Sequence, residues 1–455
     1  MTKSGFKYAM QRGLGSCMLV LESASDIEQY RDIILWGCLR ELALDPQCEG
    51  TRAHYLYELA AHYDDEAYFV EPVVTALKKM RSTGGRQLWL FIHYCEILLC
   101  FAEAGNAAAR TALYEKYDVL YHKLRRAHRG SRTCDLVRDD FETLCSVLTS
   151  LDGVDRFASI ASDIGALFKK NGFTENDFLW FIENGKNIFG EKRLCKYLLT
   201  MAKDSENLSC FCNQIAKPVW TNTGQEPAPL PTAEVLFTAA FSGKLTLAER
   251  VRFRRTASDE EKKKLAEHIL VCDIPSAKAV LLSVFYGEDF PIPCEAIIAD
   301  ACSENLQLRE AALEVLKTCH GEDVRILAFK LLSEKEYTAN ALCMLITNYC
   351  KNDREALLKA LYRLPVTYSN TSSWHGVMHH ILWAFGQEAY QTYPREFLYY
   401  IYQNSLCSGC REDAVKLLVQ EKGLTSEMMN ECHYDSNENI RKYIAHIQKV
   451  KKDNE

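Results

Sequence analysis

Few residues in this chain are spaced for chemistry. In Trp374-His375-Gly-Val-Met-His379-His380, His375 and His379 stand four apart, on one face of a helix, the spacing by which two imidazoles reach one zinc ion. No glutamate follows His375, so the metalloprotease pattern fails. Cys407-Ser-Gly-Cys410 is the only C-x2-C, and Cys432-His433 lies 22 residues beyond Cys410. Two such pairs can in principle make a Cys3His site, because thiolates two residues apart grip a tetrahedral ion from one turn. The second pair is adjacent rather than spaced, however, and adjacent side chains do not readily converge on one metal. A redox dithiol would need a βαβ context that is missing, and Cys210-Phe-Cys212 reads as core. The expectation is therefore no bound metal and no cofactor, with these thiols and imidazoles acting as core and capping residues.

The search for catalytic groups ends in the same place. No G-x4-G-K-[ST], G-x-S-x-G or helix-opening G-x-G-x-x-G after a strand occurs, and Gly13-Leu-Gly15 reads as a turn. Asp64-Asp65 and Asp139-Asp140 are neighbours, which suits helix-end charges rather than an acid/base dyad. No catalytic residue is assigned. The binding candidates are two basic clusters, Arg125, Arg126 and Arg129 in the first and Arg252, Arg254 and Arg255 in the second, with Lys262–Lys264 beyond. Clustered arginines can neutralise phosphates, although Asp259, Glu260 and Glu261 directly precede the lysines. The third candidate is an aromatic-rich stretch containing Trp374, Tyr390, Tyr393, Tyr399, Tyr400 and Tyr402, of which Trp374, Tyr399 and Tyr400 are nominated for a partner surface.

Composition bounds what can position these residues. With 455 residues, 48% apolar and 25% charged, the chain is ordinary globular material with ample core. Gly and Pro together make up about 7%, against a usual share of roughly 12%, which argues against an all-β or collagenous chain. A net charge of −7 argues against a chain-wide nucleic-acid surface. The 19 cysteines, many inside apolar helical runs, fit a reducing cytoplasm better than a disulfide scaffold. Leu14-Gly15-Ser16-Cys17 has the look of a lipoprotein box, but no apolar stretch precedes it. The apolar run from Leu88 to Ala102 contains His93 and Glu96 and is too short to cross a bilayer, so no membrane association is expected.

Apolar residues recur at three and four almost throughout. This predicts helices at about 26–44, with Asp26 as cap, then 51–63, 66–80, 86–104, 107–128, 133–151, 154–170, 175–185, 191–203 and 205–216. Residues 217–232 hold four prolines and no periodicity and read as a linker or loop between an N-terminal helical array, 1–216, and a C-terminal one, 233–455. In the latter, Arg325, Lys330 and Leu332 recur as Arg354, Lys359 and Leu361, and the Ala312–Leu316 segment recurs as Ala341–Leu345, both displaced by 29 residues.

The segments opening at Asn305 (Arg309, Ala312), Glu322 (Arg325, Ala328) and Asn437 (Arg441, Ala445) look like a polar-x-aliphatic-Arg-x-x-Ala opening, with one residue more between Arg441 and Ala445. This resembles the helix openings of HEAT and armadillo-type repeats, more clearly in the C-terminal half than in the N-terminal half. The resemblance implies an all-α fold, an irregular right-handed solenoid of antiparallel helix pairs, with a concave groove for a partner. The leading expectation is an intracellular, cytoplasmic, non-enzymatic scaffold for a protein or peptide. The alternative is a nucleic-acid binder, with a base-processing enzyme of the HEAT-like kind as its enzymatic form, using the two arginine clusters on one groove.

Overall fold

The computed structural model describes residues 1–81, 85–127, 129–215, 231–387 and 393–453, and they are all-α: 26 α-helices, seven short 3-10 turns and no strand. Most of the 217–232 linker, like Tyr390, lies outside the described residues. Two compact units form: the first comprises Met1–Thr221 together with Thr425–Glu455, and the second Asn222–Leu424. No helix is long and apolar enough to cross a membrane among the described residues.

Side-chain caps account for several helix starts in the first unit. The Asn106 side chain accepts the Ala109 N–H at 3.0 Å to open Ala107–Leu124, and Ser131 does the same for Cys134 at 3.2 Å. The helical run Arg132–Asn171 is broken at Gly153, which sits at φ 73°, a left-handed angle a side chain would resist. Gly165 and Gly185 serve a different purpose, close approach. A Cβ at Gly165 would lie 1.9 Å from the Asn207 carbonyl oxygen, and one at Gly185 would lie 2.2 Å from the Phe157 ring.

The helix expected at 26–44 is shorter. A 3-10 turn, Glu28–Tyr30, leads into Arg31–Cys38, and Asp26 provides no side-chain cap. The chain leaves the helix because the Glu41 carboxylate takes the Ala43 N–H at 2.7 Å, a local bond that competes with helix continuation. Pro46 then starts a one-turn helix, Pro46–Glu49, instead of following one.

The C-terminal array expected at 233–455 also needs correction, because 425–455 belongs to the first unit. Three ties hold it there. Ser436 N–H donates to the Gly13 carbonyl at 2.8 Å, Ser16 N–H donates to Glu431 at 3.1 Å, and Arg441 reaches both Glu58 oxygens at 2.9 and 3.1 Å. Gly15 lets this packing close, since a Cβ there would fall 1.9 Å from the Glu431 carbonyl oxygen. These partners are some 400 residues apart in sequence, so no local pattern announces them.

In the second unit the 29-residue displacement is visible as hydrogen bonds. Thr318 donates its hydroxyl to the Glu288 carbonyl at 2.7 Å, and Thr347, 29 residues later, donates to the Lys317 carbonyl at 2.5 Å. Asn348 bridges back to its predecessor, donating to the Cys319 carbonyl and accepting the Gly321 N–H, each at 2.9 Å. Asn305 caps Leu306–Leu316 by accepting the Leu308 N–H at 3.0 Å. Arg325, the frame arginine, grips the buried Asp353 through Nε at 3.1 Å and Nη2 at 2.7 Å. Its repeat mate Arg354 pairs with Glu396 on the surface.

Candidate functional site

Two places in the second unit combine position with chemistry. The first is a groove of about 770 Å³ bounded by the C-terminal ends of two helices in the 29-residue register, Glu322–Leu331 and Arg354–Arg363. Its floor is apolar, with Phe329, Leu332, Ala356, Ala360, Leu364 and Pro365. Its charged lining consists of Lys335, Lys359 and Arg363, with no carboxylate among the lining residues. All three cations are exposed, and none has an ion-pair partner among the described residues. A volume of this size is within the ordinary range for ligand-binding clefts.

The second place is a cluster of soft ligands. His375 comes from helix Thr371–Phe385; Cys407 caps helix Ser408–Gln420, and Cys410 sits in that helix's first turn. One imidazole nitrogen and the two sulfurs lie within 4.8 Å of one another. The Cys407 sulfur accepts the Cys410 backbone N–H at 3.4 Å, which is how a helix N-terminus stabilises a thiolate. Hydrogen bonding from the Cys410 thiol, then from His375 and the Cys410 N–H, holds the Cys407 thiol well below its ordinary value despite burial, which pushes it up. Ser405 fixes the approach loop, accepting the Cys407 N–H at 3.1 Å and donating its hydroxyl to the Cys407 carbonyl at 3.0 Å. His379 stacks edge-on against His375 with ring centres 4.6 Å apart. Cys432, considered beside these thiols in the sequence, is buried in the first unit.

The other nominated residues land differently. Trp374 is fully buried, its indole N–H donating to the Thr367 carbonyl at 2.8 Å, and Tyr400 is 2% exposed. Both are core residues with no face for a partner, a correction to the expected aromatic surface. Tyr399 is half-buried and donates its hydroxyl to the Gly423 carbonyl at 2.7 Å. Arg125 and Arg126 are exposed, and Arg125 lies 5.8 Å from the Tyr121 ring centre. Arg129 is committed to Asp177 at 3.0 Å and to Thr174 at 3.2 Å. Of the second cluster, Arg254 donates to the Tyr286 carbonyl at 2.7 Å, Arg252 is half-buried and Arg255 is exposed. Nearby Lys262 and Lys264 already pair with Glu288 and with Glu260 and Glu261. The two clusters belong to different units, so neither unit alone presents all six arginines on one groove.

Sequence reading missed Lys335, Lys359 and Arg363 as a set, because three cations scattered over 29 positions look like an ordinary solvated surface. Lys359 belongs to the repeat frame, and that frame is the sequence signal that points to the groove. No protein-family model, no curated protein and no solved structure matches this chain.

Proposed function

We propose that the chain is a non-enzymatic, cytoplasmic binding protein whose second unit is a HEAT-like, right-handed stack of helix pairs, and that its 322–365 groove receives an acidic peptide segment of a partner protein. The observation that carries this reading is the charge of the groove: three cations without an ion-pair partner among the described residues ring an apolar floor, and no carboxylate is among the lining residues. An acidic segment with an apolar or aromatic residue would match both properties, the side chain entering beside Phe329 and the carboxylates meeting Lys335, Lys359 and Arg363. The repeated threonine tie and the Asn348 bridge beside it favour a stack of equivalent helix pairs, which is the kind of frame that keeps such a groove rigid. Nucleic acid is the weaker occupant, since Arg129, Arg254, Lys262 and Lys264 are engaged by the protein itself.

The test is fluorescence anisotropy of the full chain with a labelled peptide of Glu and Leu/Phe residues and with its Gln counterpart. The Glu peptide should bind more tightly, and salt should weaken it. Exposed ion pairs contribute about 0.5–1 kcal/mol each, so Lys359→Ala with Arg363→Ala should weaken binding by roughly five- to thirtyfold. Equal binding of the Glu and Gln peptides, or an unchanged affinity in the double variant, would overturn the assignment.

A further inference from the structure

We propose that His375, Cys407 and Cys410 bind one zinc-class divalent ion, with water completing a tetrahedral set. The inference is separate from peptide binding and uses none of the groove residues. It begins with geometry: three donors of the right chemistry, an imidazole nitrogen and two sulfurs, are brought within 4.8 Å of one another by two helices. Zinc–sulfur bonds of about 2.3 Å and zinc–nitrogen bonds of about 2.0–2.1 Å put tetrahedral ligand atoms roughly 3.5–3.8 Å apart, so the cluster closes on an ion with side-chain adjustment alone.

Three further observations favour a metal over a simple dithiol. A dithiol needs only its two sulfurs, whereas here an imidazole from a helix 32 residues upstream shares the cluster. Cys410 is 1% exposed and Cys407 8%, which leaves little room for the attacking thiolate of an exchange partner. The Cys407 sulfur accepts the Cys410 N–H at 3.4 Å at the start of the helix, a geometry that suits a metal-bound thiolate. On binding, each thiol that is still protonated releases its proton to solvent as its sulfur–metal bond forms, and His375 donates a nitrogen lone pair, with no change of oxidation state. The ion would join helix Thr371–Phe385 to helix Ser408–Gln420 and so couple metal affinity to the stability of the second unit.

The test uses the full chain, stripped by chelator under reductant and titrated with Co(II) as a spectroscopic probe and then with Zn(II). The expected result is one equivalent of Co(II) with a thiolate-to-cobalt charge-transfer band, displaced by Zn(II), and slower amide exchange in helices Thr371–Phe385 and Ser408–Gln420 on metal addition. Cys407→Ser and His375→Ala should each weaken binding at least tenfold. Cys294, a buried cysteine of the same unit outside the cluster, supplies the control, and Cys294→Ser should leave the titration unchanged. If Cys407→Ser misfolds by circular dichroism, the conservative His375→Gln carries the same expectation. No thiolate–cobalt band, a band that persists in Cys407→Ser or disappears in Cys294→Ser, or a Cys407–Cys410 disulfide whose reduction restores no metal uptake would each overturn the proposal.

Discussion

Arg325 and Arg354 hold the same place in the 29-residue frame, yet removing them should have very different consequences. Arg325 is 22% exposed and Asp353 only 4%, and two charge-assisted hydrogen bonds join them. Asp353 has one further bond, from the Cys350 N–H at 3.2 Å. Arg325→Ala therefore strands a nearly buried carboxylate with a single neutral donor, and the cost is the desolvation of that charge as well as the lost bonds, about 3 kcal/mol. Arg354 and Glu396 are 53% and 40% exposed, so water replaces whatever Arg354→Ala removes, and the cost should stay below about 1 kcal/mol. Because the chain has two units, a single Tm is a poor readout. Hydrogen exchange of the 338–347 helix amides, followed by mass spectrometry, reports the second unit directly. A double-mutant cycle with Asp353→Ala should return a coupling of about 2 kcal/mol, most of the Arg325→Ala loss being recovered once the carboxylate is gone. Equal costs for Arg325→Ala and Arg354→Ala, or a coupling near zero, would refute the claim that burial of Asp353 makes this tie strong.

Burial pushes the Glu41 carboxyl up to about 7, against the Ala43 N–H and Arg52, which favour the ionised form. Its native pKa lies above its unfolded one, so stability falls as pH rises from about 4.5 through 7, and Glu41→Gln should gain about 3 kcal/mol on wild type between pH 5 and pH 8.5. Burial lowers His93, whose Nδ1 lies 3.6 Å from the Glu41 carboxylate, to about 4, so the comparison is repeated in a His93→Gln background, which removes that contact from both proteins; a pH-independent difference in denaturant midpoint would contradict the assignment. Gly15→Ala should push residues 425–453 away from the Gly13–Ser16 turn, costing about 1–3 kcal/mol and exposing that segment to limited proteolysis; an unchanged digestion pattern would count against the close packing. Trp374→Ala should cost about 3–5 kcal/mol in the second unit, measured by the same amide exchange, and a cost under about 1 kcal/mol would return Trp374 to the surface.

Much of the helical order was legible because its causes are local. Asn106, Ser131 and Asn305 cap the helices they precede, and the expected break between 151 and 154 falls at Gly153, where only a glycine is comfortable. The 29-residue frame was legible in Arg325, Lys330 and Leu332 recurring as Arg354, Lys359 and Leu361, but its contacts were not: Arg325 takes Asp353 whereas Arg354 takes Glu396, and the bond that does repeat is made by Thr318 and Thr347. What distance in sequence conceals was not. The helix from Asp26 was overextended because the bond from Ala43 N–H to Glu41 competes with it, and the tie of 425–453 to the N-terminal turn depends on Gly15 and Glu431. Periodicity cannot say which side of a helix faces inward when both carry aromatics, and so Trp374 and Tyr400 were read as surface. His375 and the Cys407/Cys410 pair both stood out in the sequence as possible zinc ligands, but spacing set the thiols beside Cys432, and it is helix packing that brings His375 to them from upstream.

The central claim is that the 322–365 groove is where an acidic partner segment binds, and mapping the bound Glu-rich peptide on the full chain by hydrogen exchange tests it most directly. The account predicts slowed exchange confined to about 329–338 and 356–365, the stretches that supply Phe329, Lys335, Lys359 and Arg363. Protection centred instead on 122–132 or 247–264, where the arginine clusters lie, or no protection at saturating peptide, would contradict it.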